Sequence, residues 1–98
     1  MIQDFGNKAA ADLFHDGKSR SVPPRHWQRA TDLLDIMEAV DALEDLKARG
    51  FPPSLRLHKL KGKRAGEFAI DIHKTDGWRM TFSFENGVFI NVKVENYH

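Results

Sequence analysis

The side chains best suited to chemistry gather in the second half of the sequence: His58, Lys61, Arg79, Tyr97 and His98. Cysteine is absent, which excludes thiolate zinc sites, disulfides and cysteine nucleophiles. The five histidines (His15, His26, His58, His73 and His98) show neither the H-x-x-x-H spacing of a zinc site nor a supporting carboxylate cluster in sequence, so no metal is expected. His15 and His26 fall on helical segments and read as ordinary surface or half-buried groups. G-x-S-x-G, P-loop and G-x-G-x-x-G motifs are also missing. What remains is general acid–base chemistry by histidine, supported by cations. Cleavage of an RNA strand needs little more. A base takes the proton of a 2′-hydroxyl, the oxygen attacks the adjacent phosphorus, and an acid protonates the leaving 5′-oxygen. Cations hold the charge that grows on the phosphoryl oxygens. His58, His98, Lys61 and Arg79 can fill these parts if the fold brings them together, with no cofactor. Tyr97, the only tyrosine, can stack on an unpaired base or pack the last strand against a helix.

Charge distribution supports a phosphate-bearing partner. The whole chain carries +1, but residues 1–50 balance to −2 and residues 51–98 to +3. Within 54–64 stand Arg56, Lys59, Lys61, Lys63 and Arg64, with His58 among them and no acid. At 98 residues, 41% hydrophobic and 30% charged, the chain is expected to form one globular domain over 1–98. It lacks the basic stretch and apolar run of a signal peptide and any span of membrane length; a reducing cytoplasm is the expected compartment.

These groups need elements to position them. Ile2–Phe5 reads as a short opening strand. Asn7 can cap a helix from Lys8 to Asp16 that Gly17 ends, with Leu13 and Phe14 as its buried stripe. Pro23 and Pro24 suit the first turn of a second helix. Its apolar face is Trp27, Ala30, Leu33, Leu34, Met37 and Val40, and the pattern continues, straight or after a kink, through Leu43 and Leu46 to the stop at Gly50, Pro52 and Pro53. The period then changes to two. Residues 55–58 read as a strand and 61–66 as a glycine-bracketed turn. In the next strand Phe68, Ile70 and Ile72 face the core. After the 75–77 turn, Trp78, Met80, Phe82 and Phe84 do so. Asn86-Gly87 is a two-residue hairpin signal, followed by Val88, Ile90, Val92 and Val94 as the apolar side.

The expected fold is therefore α+β: two N-terminal helices covering one face of a mainly antiparallel sheet of about four strands. Alternation leaves Arg56, His58, Asp71, His73, Arg79, Thr81, Asn91 and Lys93 on the open face. Such a face suits a polyanion.

The string from Arg56 to Gly66 (RLHKLKGKRAG), the strand Trp78-Arg79-Met80-Thr81-Phe82, Asn86-Gly87 and the closing Asn96-Tyr97-His98 resemble the HigB (plasmid maintenance system killer) toxins of the RelE-like superfamily. The M-I-x-x-F opening and the Leu43–Leu46 segment fit as well, so the likeness runs through the whole chain. It implies the RelE-like microbial ribonuclease fold and a ribosome-dependent endoribonuclease that cuts mRNA in the ribosomal A site. The implied partners are the ribosome, that mRNA and a HigA-type helix-turn-helix antitoxin. By the same resemblance His58 matches an active-site histidine of some members, Lys61 the lysine of the L-K-G turn, Arg79 the arginine of the W-R strand, and Tyr97 and His98 the closing pair. His58 and His98 would handle protons, with Tyr97 stacking on a base or sharing the transfer. Lys61 and Arg79 would hold phosphoryl charge. Lys59, Lys63 and Arg64 would dock RNA backbone, with Arg56 and Lys93 extending the basic face. Asn96 departs from the family's usual aspartate, and Lys63 replaces a common acid.

Two other readings use the same residues: a module that blocks translation by occupying RNA or the ribosome without cutting, and a regulatory protein acting through the acidic helical face of residues 31–48.

Overall fold

The structure, a computed structural model, describes residues 1–48 and 56–97. The elements in chain order are α1 (Lys8–Asp16), a 3-10 turn (Pro24–His26), α2 (Trp27–Ala39) and α3 (Leu43–Ala48). Then follow β1 (His58–Lys59), a 3-10 turn (Gly62–Arg64), β2 (Phe68–His73), β3 (Trp78–Glu85) and β4 (Val88–Asn96). Helices on one side and a four-stranded antiparallel sheet of order β1-β2-β3-β4 make the α+β class. No helix among the described residues is long and apolar enough to cross a membrane.

Local chemistry explains the ends. The Asn7 side chain accepts from the Ala10 N–H at 3.0 Å, capping α1, and donates through Nδ2 to the Val94 carbonyl at 2.9 Å. One residue thus starts a helix and ties it to β4. Gly17, at φ 75°, closes α1 by donating its N–H to the Leu13 carbonyl at 3.0 Å. Asn86 and Gly87 both have positive φ, 51° and 82°, as a two-residue hairpin loop demands.

The core lies between the helices and the sheet. Leu13, Leu34, Met37 and Leu46 meet Ile70, Ile72, Met80, Phe82, Phe89, Val92 and Val94, all essentially inaccessible. The opening segment lies parallel along the outer edge of β4, with bridges Ile2–Phe89 and Phe5–Val92. It covers what would be an open sheet edge.

Three local expectations change. The second helical run reaches Leu46 across a full break, not as one straight helix. Val40 is extended (φ −116°, ψ 158°), the Met1 amino group takes the carbonyls of Met37 and Val40, and Leu46 belongs to the separate α3. The 55–58 strand is shorter. Arg56 sits at φ 45°, so pairing starts at His58; Leu55, like Gly50, Pro52 and Pro53, lies outside the described residues. In β4 the alternation slips by one. Asn91, at φ 56°, forms a bulge between the pairs Thr81–Lys93 and Ser83–Ile90. Phe89 therefore takes the core position, while Val88 and Ile90 stay half-buried.

Candidate active site on the open sheet face

Strand register sets the layout. His58, Ala69, Thr81 and Lys93 form one row across the sheet, and Asp71, Arg79 and Glu95 the next. His58 and Thr81 flank the small Ala69, two strand spacings apart, about 10 Å.

His58 is held at Nδ1, 2.7 Å from the Arg56 carbonyl oxygen. A carbonyl only accepts, so Nδ1 carries the proton, and in the neutral ring the Nε2 lone pair is left to take one up. The unusual backbone of Arg56 turns that carbonyl back onto the ring two residues on.

Arg79 lies near the centre of the face with its guanidinium 4.9 Å from the Tyr97 ring centroid, a cation–π contact. Its Nη2 is 3.8 Å from Glu95 Oε1, while its buried Nε has no hydrogen-bond partner among the described residues. An orphan donor of this kind costs on the order of 1–3 kcal/mol.

Arg64 is used differently. Its Nε and Nη2 donate to both oxygens of Glu67 at 2.9 and 2.8 Å, and Nη1 donates to Glu95 Oε1 at 2.6 Å. Thr81 Oγ1 donates to the same Glu95 oxygen at 3.2 Å. The hydrogen bond from Arg64 holds the Glu67 carboxyl below its ordinary value of 4.5, and Glu67 in turn raises the Arg64 guanidinium further out of reach of deprotonation. Arg56 is paired too: its Nε donates to the buried Asp71 carboxylate at 3.0 Å. Among the described residues no ion pair or hydrogen bond holds the ammonium groups of Lys59, Lys61 or Lys63, which stand exposed around the 60–66 turn. Lys93 lies beside Thr81 at the β4 side.

Of the residues singled out from sequence, Arg79 and Tyr97 are in direct contact, and His58 shares their face one row away. Lys61 and Lys63 stand exposed in the turn beside that face, whereas Lys59 pairs with the core-facing Phe68 and holds its ammonium 5.9 Å from that ring, on the other side of the sheet from His58. Arg56 and Arg64 lie on it in internal ion pairs. His98 falls outside the described residues.

Two groupings escaped the sequence reading. Glu67 and Glu95, the acids that occupy Arg64, include one readable signal, an arginine and glutamate three residues apart in a tight turn. The other grouping is His26, His73 and Asp76. His26 is 4% exposed, not the surface or half-buried group expected. Its Nε2 is 2.9 Å from Asp76 Oδ2 and its ring 4.9 Å from that of His73. The ligand-type atoms of the three lie within 4.8 Å of one another, although the sequence spacing suggests no such cluster. They are already engaged. Arg25 donates to Asp76 Oδ2 at 2.8 and 3.2 Å, and the Asp76 N–H donates to His73 Nδ1 at 3.1 Å. A bound cation would have to displace a guanidinium and take a lone pair already in use, so the donor set is built as a hydrogen-bond cluster. Arg25, then His26, hold the Asp76 carboxyl below its ordinary value of 3.8.

A family model described as the RelE-like toxin of the type II toxin-antitoxin system HigB matches residues 3–98. A Proteus vulgaris protein named endoribonuclease HigB is 32% identical over 98 residues, covering 100% of both chains. With a match of that extent joined to an α+β fold of helices on a four-stranded antiparallel sheet, the chain belongs to the RelE-like HigB toxins of type II toxin-antitoxin systems.

Proposed function

We propose that this toxin is a ribosome-dependent endoribonuclease that cuts mRNA in the ribosomal A site, using its own side chains and no metal. The observation that carries the reading is the pairing of Arg79 and Tyr97 on the open face: a guanidinium seated 4.9 Å from an aromatic ring and only loosely approached by Glu95, at 3.8 Å. A phosphate and its neighbouring base need such a pair, one group for charge and one for stacking.

His58 takes the 2′-hydroxyl proton at Nε2, the nitrogen left unprotonated by its bond to the Arg56 carbonyl. The 2′-oxygen bonds to phosphorus, the bond from phosphorus to the 5′-oxygen breaks, and His98 supplies the proton to that leaving oxygen. The products are a 2′,3′-cyclic phosphate and a free 5′-hydroxyl. Arg79 and Lys61 hold the charge that develops on the phosphoryl oxygens. Lys63, joined by Lys93, steers the RNA backbone, and Lys59, at the sheet edge over Phe68, adds only to the field around the face. Arg56 and Arg64 act from within their ion pairs, shaping the face. A sheet face this open cannot align the reacting 2′-oxygen by itself. The ribosome supplies that alignment, and a helix-turn-helix antitoxin of the HigA kind neutralises the toxin.

The test is induction of the wild type and of a His58→Ala/His98→Ala variant in a bacterial host, with growth and mRNA 5′ ends recorded. Growth arrest with new ends at fixed codon positions, lost in the variant, supports the reading. Arrest without new ends would mean inhibition by occupancy, and new ends on naked RNA in the absence of ribosomes would remove the ribosome from the mechanism.

A further inference from the structure

We infer that Arg25, His26 and Asp76, with His73, form a latch that positions Tyr97 for the cleavage step; the inference rests on the function proposed above. The turn between β2 and β3 closes with an ordinary bond from the Gly77 N–H to the Lys74 carbonyl at 3.1 Å. Asp76, at its tip, takes far more than a turn requires. Its Oδ2 accepts from Arg25 Nε and Nη2 and lies 2.9 Å from His26 Nε2, while its backbone N–H donates to His73. Arg25 and His26 come from the 3-10 turn ahead of α2, some fifty residues away, and His26 is buried against the core. The turn is thereby fixed to the helical layer and not only to its own strands.

The same turn holds the end of β4. Asn96 Nδ2 donates to the Asp76 carbonyl at 3.0 Å, the Tyr97 N–H to the Gly77 carbonyl at 3.1 Å, and the Tyr97 hydroxyl to the Lys74 carbonyl at 3.3 Å. Two bonds of Tyr97 and one of the adjacent Asn96 therefore tie the end of β4 to carbonyls of residues 74, 76 and 77. The position of its ring against Arg79 is set by the turn, and the turn is set by Asp76. None of the latch side chains needs to touch RNA. They are positioning residues, and displacement of a reacting assembly by about 1 Å can cost on the order of 100-fold in rate.

Tyr97 is the only tyrosine in the chain, so 3-fluorotyrosine labelling gives one ¹⁹F resonance that reports its surroundings without reference to activity. In full-length protein, Asp76→Ala is expected to move this resonance toward the free amino acid position and narrow it. Arg25→Met, a substitution at an exposed side chain, is expected to move it in the same direction by less. With ribosome-bound mRNA, Asp76→Ala should lower kcat about 10- to 100-fold with KM within about threefold. Asp76→Asn, which keeps an acceptor, should recover part of the loss. The Asp76→Ala/Tyr97→Ala double variant should be no slower than Tyr97→Ala, because a residue acting through Tyr97 has nothing further to lose. An unmoved resonance in both Asp76→Ala and Arg25→Met, or additive losses in the double variant, overturns the latch. If the wild type cuts no RNA, the proposed function fails, and the ¹⁹F resonances still decide whether the latch holds Tyr97.

Discussion

Arg64 and Glu95, on opposite sides of β3, are joined by a 2.6 Å hydrogen bond that ends on the same carboxylate oxygen Arg79 approaches at 3.8 Å. Arg64 is the nearer cation and also grips Glu67 with a two-pronged bond. It thereby satisfies Glu95 and leaves Arg79 only loosely paired. Removing Arg64 is expected to free Glu95 to draw Arg79 into a close ion pair, away from the phosphate. Arg64→Met should lower cleavage about 10-fold or more and destabilise the fold by about 1–2 kcal/mol through the lost charged hydrogen bonds. Adding Glu95→Gln should restore most of the cleavage but not the stability. If the double variant stays as slow as Arg64→Met, Arg64 contacts RNA directly.

The His58 hydrogen bond makes a separate demand. With Nδ1 occupied by the Arg56 carbonyl, proton abstraction falls to Nε2. His58→Gln keeps polarity and size but cannot act as a base, and should reduce the rate constant for cleavage by about 10²- to 10⁴-fold. Binding to the ribosome should change by less than about threefold. A single-turnover assay separates the two quantities. Loss of binding with an intact rate constant would make His58 a docking residue.

Tyr97 should respond to shape more than to its hydroxyl. Tyr97→Phe retains the ring beside Arg79 and loses the hydroxyl with its bond to the Lys74 carbonyl. Tyr97→Ala removes the stacking surface, worth about 1–3 kcal/mol per base, so cleavage should fall about 10- to 100-fold while Tyr97→Phe stays within about fivefold of the wild type. Equal losses for both would assign the hydroxyl a direct part in proton transfer.

Much of this scaffold was readable residue by residue. Asn7, Gly17 and Asn86-Gly87 punctuate the chain through local backbone chemistry, so their roles appear in sequence as they do in the fold. Period-two alternation placed His58, Asp71, Arg79 and Thr81 on one face because β2 and β3 are regular there. It failed in β4, where one extra residue at Asn91 reverses the sides of the preceding positions, and no polar-apolar pattern announces the bulge because residues 88–90 are apolar on both sides. Arginine pairing was illegible for another reason. Arg56–Asp71 and Arg64–Glu95 join residues 15 and 31 positions apart, and the bond between His26 and Asp76 spans 50. Those contacts are set by strand register and helix docking, which a basic cluster such as 56–64 does not encode.

Acid should weaken the fold through Glu67 and Asp76. Arg64 lowers the carboxyl of the first; Arg25 and His26, with His73 nearby, lower that of the second. A carboxyl depressed in the folded state contributes stability that is fully present above its unfolded value, 4.5 for glutamate and 3.8 for aspartate, and is lost as pH falls through the folded one. Urea melts should therefore show these two groups adding nothing to the pH dependence between pH 7 and about 5, and stability falling below about 4. Glu67→Gln should flatten part of the acid limb without moving the neutral baseline relative to pH 5. A limb unchanged by that substitution would locate the acid sensitivity elsewhere.

Asn96 stands where the resemblance leads one to expect aspartate, and its own geometry gives the opposite forecast to a simple restoration. Its amide donates to the Asp76 carbonyl at 3.0 Å. An aspartate at this position is an acceptor only and would face that carbonyl oxygen without a proton to share. Asn96→Asp is therefore expected to loosen the attachment of Tyr97 to the 74–77 turn, moving the fluorotyrosine resonance part of the way that Asp76→Ala moves it and lowering cleavage severalfold. A carboxylate that instead tunes an adjacent proton-transfer group would raise the rate or shift its pH dependence with the resonance unmoved. Measured side by side, the resonance and the rate distinguish loss of an anchor from gain of a charge, and only the first agrees with the hydrogen bond seen at Asn96.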